Sequence, residues 1–198
     1  MIFVLIGEGG KGGDVTSSFS GQSPGGGGGA GQIVAATNLP VTAGQALSIS
    51  TAPTGITLTI GSESISAYSG NPASGTIGGI AGDNKSLSSD VSGFVGSNGD
   101  DANTGTATGG NGGPISTDLL IGNPPYGGGG GGAGTGGGNG LGVNGGQDGT
   151  GTTGGAGGPA FYGIVLFPSG YTGLRSTGLR SNVSVMFGGP TSAKVKNT

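Results

Sequence analysis

Apolar residues in this chain gather into a few short runs, separated by long stretches that carry almost no side chains. Ile2-Phe3-Val4-Leu5-Ile6 is one run, and Phe161-Tyr162-Gly163-Ile164-Val165-Leu166-Phe167 is another. Neither alternates with polar residues. Each therefore predicts a strand buried on both faces, over 1–6 and 161–167. Short strands are also predicted over 32–37 and 45–51, where Leu47 and Ile49 alternate with Ser48 and Ser50. Ile56, Leu58 and Ile60 alternate with Thr57 and Thr59, the pattern of a strand with one wet face. Residues 183–187 predict a last strand. No window repeats apolar residues at helical spacing, so the chain reads as all-β. Residues 62–126 are polar and turn-rich, with turns at Asn71-Pro72, Asn98-Gly99 and Asn123-Pro124.

Glycine changes this picture. It supplies 55 of the 198 residues, with unbroken runs at 25–29 and 127–132, and proline adds 10. An aperiodic chain of that composition is usually low-complexity. Here the tracts have a period. Gly128, Gly131, Gly134, Gly137 and Gly140 share one three-residue frame, with Ala133, Thr135 and Asn139 off it. Gly7, Gly10 and Gly13 form a second frame, with Glu8 and Lys11 off it. Gly25, Gly28, Gly31 and Gly151, Gly154, Gly157 form two more. Three residues per turn, rising about 3.1 Å each, is the geometry of the polyproline II helix. The expectation is that 127–140 and 149–158 are extended helices of this kind. One glycine face in three would lie bare against a neighbouring backbone, and their amides would bond between tracts.

Charge is sparse, with nine acids, six bases and no histidine, and the sequence pI is about 4.5. That argues against general nucleic-acid binding. Four of the six bases, Arg175, Arg180, Lys194 and Lys196, lie near the C-terminal end, and no acid follows Asp148. Residues 169–198 therefore read as a basic tail, either solvated or a docking surface. Cysteine is absent, which removes disulfides and thiolate metal sites. The opening apolar run is too short for a secretory signal, and no stretch is long enough to cross a membrane. The surface composition is nevertheless that of an extracellular protein. An outward-facing protein without an export signal fits a virion component, assembled in the host cytoplasm and released by lysis.

Candidate chemistry is thin. Gly7-x-Gly9-x-x-Gly12 after a strand imitates the dinucleotide fingerprint. That chemistry needs a helix directly after the glycines and an acid about 20 residues on, and neither is present. Lys11 is not followed by serine or threonine, so a phosphate loop fails as well. Asp100, Asp101, Asn98 and Asn103 could offer oxygens to calcium, but no calcium repeat is completed, and turn capping is the simpler role. With no histidine or cysteine and scattered acids, no enzyme activity, cofactor or metal is expected. Tyr162 sits within an apolar run and reads as core. Tyr68, near Asn71, and Tyr126, after Pro124-Pro125, read as contact residues on loops, with packing as the alternative.

The order of these pieces resembles the glycine-rich domain of phage tail-fibre and other virion proteins. Val4 to Gly13 resembles its opening strand and Gly-Gly-x-Gly-Gly run. Pro24 to Gly31 resembles the next glycine block, and Val41 to Ile49 its hairpin. Gly154 to Phe167 resembles the closing glycines and aliphatic strand. The likeness spans about residues 2–168. The distal adhesins of T-even-like phages are similar in their polyglycine bundle with receptor-binding loops at the tip. The extracellular glycine-rich region of the anaplastic lymphoma kinase receptor is similar in setting a glycine-helix insertion in a jelly-roll-like sandwich. The resemblance implies an all-β, jelly-roll-like β-sandwich with an inserted polyglycine II helix bundle over 1–168, and a docking tail over 169–198. It implies a phage structural protein: a homo-oligomeric fibre, tip or capsid-decoration subunit. Its partners would be other virion proteins and a host cell-surface glycan or outer-membrane protein, without nucleic acid or membrane insertion. Tyr68, Asn71 and Tyr126 would contact the host, and Arg175, Arg180, Lys194 and Lys196 the virion. The alternative is an ice-binding protein built of polyglycine helices, which needs a flat face bearing threonine or alanine.

Overall fold

The structure, a computed structural model, describes residues 1–18, 21–116, 125–135, 139–166, 184–188 and 194–197. Within these, every regular element is a strand and every sheet is antiparallel. The strands are β1 (Ile2–Ile6), β2 (Thr16–Ser18), β3 (Gly21–Ser23), β4 (Ile33–Ala36), β5 (Leu47–Ala52) and β6 (Gly55–Ile60). They continue with β7 (Glu63–Tyr68), β8 (Ser92–Phe94), β9 (Phe161–Leu166), β10 (Ser184–Gly188) and β11 (Lys194–Asn197). The main sheet has the order β11-β10-β9-β1-β4-β8, a second sheet is β5-β6-β7, and β2-β3 is a separate hairpin.

The two unalternating runs are neighbours at the middle of the main sheet, with Phe3 opposite Ile164 and Leu5 opposite Tyr162. Their lack of alternation follows from burial on two sides. Phe3 and Leu5 face a core shared with Val34, Ile164, and Ile56, Leu58 and Ile60 of the second sheet. Ile6, with Val4 beside it, packs instead against Ala30, Ile33, Ile115 and Phe161. Ile164 is fully buried, whereas Val165 next to it is only half-buried. On β6 the expected alternation holds: Ile56, Leu58 and Ile60 are buried, and Thr57 and Thr59 turn outward. There their hydroxyls meet those of Ser66 and Ser64 on β7, at 2.8 and 3.2 Å. The region read as a separate tail contributes two strands: β10 pairs with β9, and β11 with β10.

Beyond the sheets, ten tracts without a strand ladder lie among the described residues: 7–15, 25–32, 68–75 (sharing Tyr68 with the end of β7), 76–82, 95–102, 107–115, 126–135, 139–143, 144–150 and 152–159. Their amides donate to carbonyls of other tracts at 2.6–3.2 Å, and the partner changes with a period of three. In tract 25–32, Gly25, Gly28 and Gly31 donate to Ala133, Gly130 and Gly127. Gly26, Gly29 and Gln32 donate to Gly75, Asn71 and Tyr68. Gly27 and Ala30 donate to Asp100 and Ser97. The carbonyls of the same tract accept from Gly7, Gly10 and Gly13, from Gly79 and Gly82, and from Gly110 and Gly113. Tract 25–32 is thus bonded to six neighbours: 7–15, 68–75, 76–82, 95–102, 107–115 and 126–135.

Tract 126–135 is bonded in the same way. Gly127, Gly130 and Ala133 donate to Pro159, Gly10 and Gly13. Gly128, Gly131 and Gly134 donate to Asn144, Gln147 and Thr150. Gly129, Gly132 and Thr135 donate to Gly113, Gly110 and Ala107. It accepts from tracts 25–32, 139–143 and 152–159. The two central tracts are those with the unbroken glycine runs. A β-carbon at any of Gly128, Gly129, Gly130, Gly131 or Gly132 would strike a backbone carbonyl of a neighbour. The expectation of one bare face in three is corrected here: a tract ringed by six others is packed on every face, and between its ends admits nothing larger than the buried methyl groups of Ala30 and Ala133. It describes the outer tracts better. In tract 7–15, Gly7, Gly9, Gly10, Gly12 and Gly13 are buried, while Glu8, Lys11 and Asp14 point outward every third residue.

An outer tract also has amides that face no neighbouring tract, and side chains from the next tract accept from several of them. Asp14 accepts from Gly154, Asp101 from Gly78, and Asn98 from Ala81. Asn111 accepts from Leu141, and Asp148 from Gly142. Buried Gln32 seals the junction with the sheets. Its Oε1 accepts from the Asn84 amide at 2.9 Å, and its Nε2 donates to the Asn84 carbonyl at 3.3 Å.

Position in this lattice should decide what a glycine tolerates. Gly129→Ala places a methyl group on the Gly28 carbonyl and should cost about 3 kcal/mol or more, at the upper end of overpacking. Gly151 has open space around it. There alanine should be neutral or stabilise by up to about 1 kcal/mol, through a less flexible unfolded chain. Thermal melts of the two variants would show it. Similar melting temperatures would mean that the central tract is not close-packed.

Candidate functional site: the distal loop end

The hydrogen-bond register brings several tract ends together at one end of the bundle, remote from the main sheet. Val15 donates to Thr152, Gly134 to Thr150, Thr135 to Ala107, Gly26 to Gly75, and Ala102 to Thr76. The described residues at this level are 15–18, 21–24, 74–77, 103–107, 135, 139 and 150–153. They are chiefly serine, threonine, asparagine, glutamine and glycine, with Val15, Pro24, Ile77 and Ala107 as apolar members and no charged residue.

Local chemistry explains how these turns hold. Asn103 accepts from the amides of Gly105 and Thr106, both at 3.1 Å, an Asx-type turn. It also forms a bridge with Thr108, whose hydroxyl lies 3.0 Å from that of Thr106. Ala107 takes a positive φ of 55° to close this turn. Thr150 uses its hydroxyl twice, donating to the Thr153 carbonyl and accepting from the Thr153 amide, each at 3.0 Å. Ser74 and Ile77 bridge around Gly75, which has a φ of 60°. β2 and β3 form a hairpin that pairs Thr16 with Ser23 and Ser17 with Gln22. The result is a cluster of neutral donors and acceptors on a scaffold whose own amides are already bonded. It can hydrogen-bond a neutral polar surface without first breaking its own structure.

At the edge of this end, Lys11 Nζ donates to Asp14 at 2.8 and 3.0 Å, and Asp14 Oδ1 accepts from the Gly154 amide at 2.8 Å. The Lys11 ammonium, and next the Gly154 amide, hold the Asp14 carboxyl below its ordinary pKa.

The residues expected from sequence lie elsewhere. Tyr68 closes β7 where the sheets meet the bundle and is partly exposed. Asn71 lies within the adjoining tract 68–75, its carbonyl accepting from Gly29. Tyr126 stacks on Phe161, with ring centroids 4.6 Å apart, and belongs with the apolar residues around Ile6 and Ile115. Packing, the alternative weighed for it, accounts for its position. The three residues do not form one cluster at the loop end. Lys194 and Lys196 are on β11, opposite Phe187 and Val185 of β10. Arg175 and Arg180 lie outside the described residues. The loop end itself was hidden in turn-like sequence. Its signal was the hydroxyl-rich, uncharged sequence at 15–18, 103–107 and 150–153.

Among the described residues there is no group of three His, Cys, Asp or Glu side chains placed to hold a metal ion. Nor is any helix there long and apolar enough to cross a membrane. Comparison with known protein families, with characterised proteins and with solved structures gives no match to this chain.

The Asp14 cap predicts a pH dependence. A carboxyl with a lowered folded-state pKa contributes stability above its ordinary value of 3.8, and the contribution is lost as pH falls through the folded value. Asp14→Asn keeps an acceptor for Gly154 but not the charge. Between pH 5 and 2, its melting temperature should therefore fall less steeply than that of the wild type. Identical slopes would remove Asp14 from the acid transition.

Proposed function

We propose that the protein is a phage virion structural subunit that presents the distal loop end to a host surface or to another virion protein. On this reading the ten tracts are polyglycine II helices, and the two sheets that carry them form a jelly-roll-like sandwich. The observation that supports it is the one-sided gathering of uncharged, hydroxyl-bearing segments, 15–18, 21–24, 74–77, 103–107 and 150–153, at the end of the bundle farthest from the main sheet. A rigid shaft with adaptable polar loops at its tip is suited to recognition by hydrogen bonding. Among the described residues at this end, charged groups are confined to the Lys11–Asp14 pair at its edge. The sheet end, with the basic strand β11, is left for attachment to the particle and for self-association.

The ice-binding alternative needs a flat, repeating face of threonine or alanine. The exposed positions along tracts 95–102, 107–115 and 139–143 instead mix Val95, Ser97, Asn98, Asp100, Asp101, Asn111, Pro114, Asn139 and Leu141. No repeating row of one small residue is formed.

A mass-spectrometric inventory of purified particles should find this chain in stoichiometric amounts, and its absence would overturn the assignment. Thr106→Arg with Thr152→Arg should abolish adsorption of such particles, or binding of the isolated chain to host envelopes. The melting temperature should change little, since both residues are exposed. Undiminished binding would move recognition away from the loop end.

A further inference from the structure

A second place on the molecule has the form of a binding site. A cleft of about 630 Å³ lies between the turn joining β5 to β6 and the points where tracts 7–15 and 152–159 meet the main sheet. That volume is in the range of ordinary ligand clefts. Pro53 and Ala52 line one side, and Pro159 and Ala160 the other. Ile56 and Tyr162 are among its lining residues but are nearly buried, at 1% and 7% exposure. Among the described residues, Glu8 is the only charged one in the lining.

The chemistry of this lining is selective. Glu8 lies on the outward face of its tract, and among the described residues its carboxylate enters no ion pair. Lys11, one turn along, is committed to Asp14. The walls are apolar rings and methyl groups that suit an aliphatic stem. An anion would be repelled by Glu8. A neutral sugar would lack an aromatic face to stack on, because Tyr162 exposes too little of its ring. What fits is an alkyl chain ending in a cation, its stem on the prolines and its charge at Glu8. Arginine suits this better than lysine, because a guanidinium is less strongly hydrated and enters partly apolar sites more readily. The surroundings agree, since residues 1–168 hold all nine acids of the chain and only Lys11 and Lys85 as bases.

We infer that this cleft docks an arginine side chain presented by an extended peptide segment of a protein partner. The site is distinct from the loop end, so it can fail without affecting that reading, and the reverse.

The test uses the full chain, labelled with nitrogen-15 and titrated with the acetylated, amidated peptide Thr-Gly-Leu-Arg. That tetrapeptide occurs in this sequence at 172–175 and 177–180. The control peptide is Thr-Gly-Leu-Gln. The arginine peptide should shift the amide signals of Glu8, Thr51, Ala52 and Ala160, and the glutamine peptide should not. Glu8→Gln should weaken binding roughly three- to tenfold, the range of a partly desolvated charge pair. Among the described residues its carboxylate makes no hydrogen bond or ion pair, so the melting temperature should be kept. Ala52→Trp, at an exposed strand end, should fill the cleft and abolish binding. Glu63→Gln removes the same charge elsewhere and should bind like the wild type. Equal binding of both peptides, equal losses from Glu8→Gln and Glu63→Gln, or no shift at the cleft would each overturn the proposal.

Discussion

Everything in this protein depends on how closely two backbones can approach when neither carries a β-carbon. In a sheet, hydrogen bonds bring chains to about 4.8 Å in one direction, while side chains hold stacked sheets about 10 Å apart in the other. Removing the side chains lets a chain bond its neighbours all round. Tracts 25–32 and 126–135 do this, each to six others. The gain per residue is small. A net hydrogen bond is worth about 1 kcal/mol, and ordering a residue's backbone costs roughly 1–2 kcal/mol, more for glycine than for any other residue. Isolated tracts would not assemble on those terms. The apolar core of the two sheets is what makes the bundle possible.

The core does so by continuity. β1 runs directly into tract 7–15, tract 25–32 into β4, β8 into tract 95–102, and tract 152–159 into β9. The sheet order β9-β1-β4-β8 is carried over into the bundle. Tract 152–159 bonds to 7–15, 7–15 to 25–32, and 25–32 to 95–102. Four tracts therefore leave the sheet already aligned and in register. The transition falls where side chains give way to glycine, at Gly7 on one chain and Gln32 on its neighbour, and the buried amide of Gln32 ties that joint to Asn84. Closure at the other end needs only short polar turns. The scaffold thus separates a side-chain core that supplies stability from a loop end free to vary.

Much of the sheet was legible from sequence, because β1, β4, β5, β6, β9 and β10 are marked by local apolar patterns. β7 was not, since Glu63, Ser64 and Ser66 dilute the apolar signal of Ile65 and Ala67. β8 and the β2-β3 hairpin are three-residue strands specified by their partners rather than by their own sequence. The three-residue frame was visible wherever an outer tract showed Glu8, Lys11 and Asp14 to solvent. In the central tracts a frame could be drawn through Gly25, Gly28 and Gly31 or Gly128, Gly131 and Gly134, but glycine off the frame as well records six neighbours without naming them. The loop end escaped notice for the same reason: which turns share one end depends on tract direction, a long-range property. Tyr126 drew attention as a rare aromatic beside prolines, yet its neighbour in space is Phe161.

The period of three also sets a phase for insertions and deletions. In an outer tract the sequence of outward and inward positions behaves like a reading frame. Losing or gaining one residue would shift every later position by one step of the three-residue order. A glutamate or lysine meant for water would then point at a neighbouring carbonyl, and a glycine meant for the interior would face solvent. Changes of three residues keep the phase. They could be absorbed only if adjoining tracts lengthened too, because each bonds to its neighbours along its length. A lineage carrying this fold is therefore expected to vary freely in its turns. Shaft length would change rarely, in whole turns and across the whole bundle.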